Sequence, residues 1–94
     1  MKNKIYTFED HLKESLNDPE FKKAWEETEV EYQLAKELIE KRLNRKMSQR
    51  ELAQKAKTTQ AVISRIETME ANPSLSLLKK IASTLDKKLV IYFK

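Results

Sequence analysis

Along most of the chain apolar residues recur at the helical period, and only near the end does the pattern change. From Glu20 to Lys46 they fall at Phe21, Trp25, Tyr32, Ala35, Leu38, Ile39 and Leu43, and nothing in the stretch breaks a helix. Asp18 and Pro19 supply an N-cap and a first-turn proline ahead of it. Glutamates at 26, 27, 29 and 31 crowd its middle. The pattern therefore suits one long helix, or two with a bend near 28–31. Upstream, Thr7 and Asp10 resemble a helix start, Phe8, Leu12 and Leu16 share a face, and Pro19 ends that helix by Asn17.

From residue 48 the punctuation sharpens. Ser48 and Glu51 form a capping box, with Leu52, Ala53 and Ala56 on one face of the helix that follows. Thr58 and Thr59 open another helix, with Val62, Ile63 and Ile66 inward and Gln60, Ala61, Ser64 and Arg65 outward. Asn72-Pro73-Ser74 is a loop ending in a third cap, after which Leu75, Leu78, Ile81, Ala82 and Leu85 make an amphipathic helix. Met47 reads as core filling. Beyond Asp86-Lys87-Lys88 the run Leu89-Val90-Ile91-Tyr92-Phe93 has strand character. A strand needs a partner, so it is expected to pair with a symmetry mate or with Ile5-Tyr6 at a two-fold dimer interface, or else to add to the monomer's own edge.

Composition narrows the chemistry. The 94 residues include no glycine and no cysteine, and one histidine. Phosphate-cradling loops and dinucleotide fingerprints need glycine, and disulfides, thiolate metal sites and thiol nucleophiles need cysteine. His11, beside Asp10 and Glu14, reads as a surface residue. No nucleophile, base and oxyanion set can be assembled, so an enzyme is not expected, nor a cofactor or metal. There is no apolar run long enough to span a bilayer and no leader pattern, which makes a cytoplasmic protein without a membrane partner the expectation.

Charge divides the chain. Residues 1–32 carry five Lys against nine Asp or Glu, a net of −4, whereas residues 33–94 carry fourteen Lys or Arg against six acids, a net of +8. That polarity suggests partners of opposite sign, with nucleic acid a candidate for the basic part. Chance clustering of surface charge is the alternative.

The helices over 48–57 and 59–67, joined by a short turn, have a helix-turn-helix layout. A major groove about 12 Å wide admits one helix, whose first side chains meet base edges while the preceding helix braces on phosphate. Glutamine can pair with adenine and arginine with guanine through two hydrogen bonds each, which suits Gln60 and Arg65 to that task.

The residues Ser48-Gln49-Arg50-Glu51-Leu52-Ala53-Gln54-Lys55-Ala56 and Thr58-Thr59-Gln60-Ala61-Val62-Ile63-Ser64-Arg65-Ile66-Glu67 resemble the Xre/Cro-type helix-turn-helix family of phage repressors and bacterial regulators. Asn72-Pro73-Ser74-Leu75 and the 78–85 helix match its later part, so the resemblance covers about half the chain. It implies an all-α, lambda-repressor-like bundle that binds double-stranded operator DNA as a homodimer. On that resemblance Gln49 contacts phosphate, Thr59, Gln60, Ala61 and Arg65 read bases and backbone, and Ser64 lies beside the groove. Arg45, Lys46, Arg50, Lys55 and Lys57 add phosphate-facing charge. Arg42 and Glu67 match a buried ion pair, the alternative for Arg42 being a solvated surface arginine. Lys57 and Met69 stand where many members have glycine, so turn geometry is expected to differ there.

The flanks, Asp18-Pro19-Glu20-Phe21-Lys22-Lys23-Ala24-Trp25-Glu26-Glu27 and Lys87-Lys88-Leu89-Val90-Ile91-Tyr92-Phe93, look like those of HigA-type antitoxins. Such proteins neutralise a RelE/HigB-like mRNA-cleaving toxin and repress their own operon. The expected organisation is an acidic helical extension over 1–30, with Phe8, Leu12, Leu16, Phe21 and Trp25 covering toxin, although these side chains could instead pack onto the basic domain. A DNA-binding domain over 31–86 follows, then a dimerisation strand over 87–94 using Leu89, Val90, Ile91, Tyr92 and Phe93. A stand-alone regulator and a protein-interaction adaptor without DNA activity are the competing readings.

Overall fold

The computed structural model describes residues 13–93. Four helices follow one another: α1 Pro19–Asn44, α2 Gln49–Lys55, α3 Gln60–Glu67 and α4 Leu75–Thr84. Residues 13–15 are helical as well. The chain divides into two compact units, one ending at Val30 and the other beginning at Glu31. Phe8, Leu12, Ile5, Tyr6 and His11 lie outside the described residues.

In the first unit, Asp18 starts α1: its Oδ1 accepts from the Glu20 N–H at 3.0 Å, and Pro19 occupies the first helical position, where no N–H is required. Leu16 and Trp25 are half-buried and Phe21 is exposed. The choice between one helix and two resolves to a single 26-residue helix. Within it the Thr28 hydroxyl donates back to the carbonyls of Ala24 and Trp25.

The second unit closes around one core. Leu38 and Met47, Leu52, Ala53 and Ala56, Ile63 and Ile66, and Ile81 and Leu85 form a single buried cluster drawn from all four helices and the loop before α2. Leu52, Ile63 and Ile66 are fully enclosed. Burying each of these side chains contributes about 1.5–3 kcal/mol. Two residues of this unit on the anticipated helical faces are exposed instead of buried. Leu43 is exposed near the end of α1, and Leu75 is exposed at the start of α4. Leu75 is six residues from Ile81, about 120° around the helix at 3.6 residues per turn, whereas Leu77 lies about 40° from it and packs on the core instead.

Each helix after α1 begins on a hydroxyl cap: Ser48 Oγ accepts from Glu51 N–H, Thr59 Oγ1 from Val62 N–H, and Ser74 Oγ from Leu77 N–H. Glu51 completes the capping box by accepting from the Ser48 N–H at 2.9 Å.

The helix ends correct the expectation about the missing glycines. Lys57 and Met69 keep the left-handed conformation that glycine favours, at φ 60° and 66°, and Lys46 and Asp86 share it, both at φ 56°. All four sit one residue past a helix C-cap. Each closes the same paired hydrogen bonds: Met47 and Lys46 N–H to the Arg42 and Leu43 carbonyls, Thr58 and Lys57 to Ala53 and Gln54, Glu70 and Met69 to Arg65 and Ile66, and Lys87 and Asp86 to Ala82 and Ser83. The turn geometry does not differ; two hydrogen bonds per helix end and core burial on both sides outweigh the cost of a Cβ there, about 1–2 kcal/mol.

The strand expected over 89–93 is absent. Residues 87–93 form neither helix nor strand, and Val90, Ile91, Tyr92 and Phe93 are exposed, Phe93 at 99%. Extended backbone becomes a strand only against a ladder partner, and none of the described residues of this chain offers one.

Candidate nucleic-acid interface

The helix-turn-helix is built from α2 and α3 with residues 56–59 between them. Ile63 and Ile66 are buried beside Leu52 and Ala53, which turns the other face of α3 outward. On that outward face Thr59, Gln60, Ala61 and Arg65 are exposed and Ser64 is half-buried.

A hydrogen-bonded chain ties this face to α1. Arg42 Nε donates to Glu67 Oε2 at 2.7 Å and Nη2 to Oε1 at 3.0 Å, a two-bond fork between α1 and the last residue of α3. Arg42 Nη1 donates to the Met47 carbonyl at 2.8 Å. The two side chains are only 12% and 6% exposed, so the pair is largely withdrawn from water. Glu67 Oε1 also accepts from Gln49 Nε2 at 2.9 Å, and Gln49 Oε1 accepts from Gln60 Nε2 at 3.4 Å, a long contact. Helix α1, the start of α2 and both ends of α3 are thereby joined through four side chains.

This arrangement leaves specific groups for a ligand. Gln49 keeps one N–H, enough for a phosphate oxygen. Gln60 keeps one N–H and its Oε1, the donor and acceptor that the major-groove edge of adenine requires. Arg50, Lys55, Lys57 and Arg65 are exposed and make no ion pair with any described residue. Arg45, by contrast, is engaged by Asp86 at the end of α4. Lys41 pairs with Glu37 at 2.7 Å, and that hydrogen bond together with the carboxylate's charge holds its pKa above the usual lysine value. The sequence indicated the residue types on α3 but not the Gln49–Glu67 and Gln49–Gln60 contacts, because these depend on how α2 and α3 cross.

Among the described residues no group of His, Asp or Glu is placed to hold a metal ion, and no helix is long and apolar enough to cross a membrane. No curated protein and no solved structure matched the chain. A family model described as helix-turn-helix matches residues 38–91, from the second half of α1 through α4 and into the segment after it. The matched residues are more than half of the chain and contain the caps of α2, α3 and α4, the buried cluster and the Arg42–Glu67 pair. The chain belongs to the Xre/Cro-type helix-turn-helix family of DNA-binding proteins.

Proposed function

We propose that the protein is a sequence-specific transcriptional repressor that reads operator DNA with the start of α3. The observation that carries this reading is the chain Arg42–Glu67–Gln49–Gln60, which holds two base- and phosphate-suited amides beside Arg65, an exposed arginine in no ion pair with a described residue. Thr59, Gln60, Ala61 and Arg65 then meet base edges and backbone, Ser64 lies beside the groove, and Gln49, Arg50, Lys55 and Lys57 meet phosphates. Residues 31–86 form the DNA-binding domain in this reading. The test is a mobility shift and footprint on the DNA upstream of its own gene. Two protected half-sites about one helical turn apart are expected, with affinity falling steeply as salt rises. Absence of any salt-dependent shift favours an interaction adaptor and overturns the proposal.

Two-fold half-sites call for a homodimer. Val90, Ile91, Tyr92 and Phe93 supply an apolar surface for it, beside a groove of about 280 Å³ whose lining includes Leu34, Leu38, Leu78 and Leu89. Self-association through residues 87–94 needs no strand. Sedimentation of the chain ending at Lys88 tests it, and a shortened chain that stays dimeric moves the interface elsewhere.

A second reading, that this repressor is a HigA-type antitoxin, is supported by the acidity of the first unit together with exposed Phe21 and half-buried Trp25. A basic mRNA-cleaving toxin would find complementary charge there. Phe8, Leu12 and Leu16 belong to the same proposed contact. The test is co-purification of the full chain with the product of a neighbouring reading frame encoding a basic protein. Glu26→Lys with Glu27→Lys is expected to abolish capture while the DNA shift persists. Lack of such a neighbour leaves the stand-alone regulator.

A further inference from the structure

Helix α4 carries a polar stripe that none of the roles above employs. Ser76, Lys79, Lys80 and Ser83 are spaced i, i+3, i+4 and i+7, so they share one face, and all four are exposed. Across from that face lie Lys55, the last residue of α2, and Lys57 in the turn that follows. Together they line an open groove of about 620 Å³ that no carboxylate enters. None of the four lysines makes an ion pair with a described residue, whereas Arg42, Arg45 and Lys41 are all committed to carboxylates.

We propose that this groove carries a stretch of DNA backbone flanking the bases read by α3, which extends the contact surface onto α4 through Lys79 and Lys80. The inference rests on the DNA-binding reading and deepens it. Three features point to a phosphate backbone as occupant. Lys57 stands two residues before the Thr59 cap of α3, held in a left-handed turn by the Thr58 and Lys57 N–H bonds, so the groove borders the turn that leads into the proposed reading helix. Residues 76–83 span about 10 Å of helix. One DNA strand presents a phosphate about every 3.4 Å of duplex axis, and further apart along the winding strand itself, so about two phosphates match that length. Finally, the groove offers flexible point charges and hydroxyls with no arginine fork, a set that suits a run of separate phosphates better than one tightly held anion.

The experiment compares the full-length protein with Lys79→Ala/Lys80→Ala on a duplex carrying the footprinted operator with flanks on both sides. For the double variant, the slope of log affinity against log salt is expected to fall by about 0.9 per lost phosphate contact, roughly 2 per protomer and about 4 for the dimer on its two half-sites. Hydroxyl-radical protection should disappear at a few backbone positions in each half-site, with base preference unaltered. Lys79→Glu/Lys80→Glu should enlarge both effects, and circular dichroism checks that each variant is folded. Unchanged slope and protection in both variants, with wild-type binding intact, overturns the groove's role and leaves the α3 reading standing. Failure of the wild-type chain to bind DNA at low salt overturns both.

Discussion

Arg42 and Glu67 face each other across 25 residues of sequence in a two-bond fork with both side chains nearly out of water. The pair joins the end of α1 to the end of α3, and Glu67 Oε1 also accepts from Gln49 Nε2. A contact of this kind is weak evidence of net stabilisation, but removing one partner strands the other charge in a dry site.

Glu67→Gln is therefore expected to destabilise the fold by about 3 kcal/mol, since the Arg42 guanidinium loses its counter-charge without gaining water. For a domain of this size that lowers Tm by more than about 10 °C. Thermal unfolding followed by circular dichroism checks it. A drop of only a degree or two means the pair is better solvated than its burial indicates.

Lys57→Gly and Met69→Gly should each raise stability by about 0.5 kcal/mol. Relief of the left-handed strain is worth about 1 kcal/mol, and the greater freedom of glycine in the unfolded chain takes back roughly half. Asp86→Gly should gain nothing, because Asp tolerates φ near 56° better and its carboxylate pairs with Arg45. Urea midpoints at constant m-value measure all three.

Ser48→Ala removes the oxygen that accepts the Glu51 N–H and dismantles the capping box. About 1 kcal/mol should be lost. The same substitution should loosen Gln49, the next residue, so operator affinity is expected to fall further than stability alone explains. Binding isotherms at a temperature where the variant is fully folded separate the two effects.

On DNA, Arg65→Ala should relax preference at one base pair of each half-site by about 1–3 kcal/mol, while Arg50→Ala weakens all sequences alike and lowers the salt slope by about 0.9 per protomer. Selection on randomised half-sites reads the first and salt titration the second. An unchanged base preference in Arg65→Ala removes Arg65 from the reading face.

Much of the functional half was legible in the residue order. Caps at Ser48, Thr59 and Ser74, the buried faces of α2 and α3, and the membership of the helix-turn-helix family all depend on short-range spacing, and short-range spacing is what a sequence states directly. The opposite held wherever a partner in space was needed. Residues 89–93 have the composition of a strand, but no described residue of the chain offers them a ladder, and they are irregular. Leu43 and Leu75 fit an apolar list yet lie outside the core, because the crossing of the helices selects which part of a stripe is covered.

The glycine-free helix ends show the same division most clearly. The sequence by itself determined that the helices of the helix-turn-helix must stop, and that at Lys57 and Met69 no glycine was there to stop them. Tertiary structure decided that all four helices stop in the same left-handed turn. Packing against the shared core constrains the chain direction after each helix, and the two hydrogen bonds closed at each end outweigh the local steric cost. In the same way, residue types named Gln49, Gln60, Arg42 and Glu67, but only the crossing of α1, α2 and α3 made them one network, since hydrogen bonds reach about 3 Å and the residues stand up to 25 positions apart.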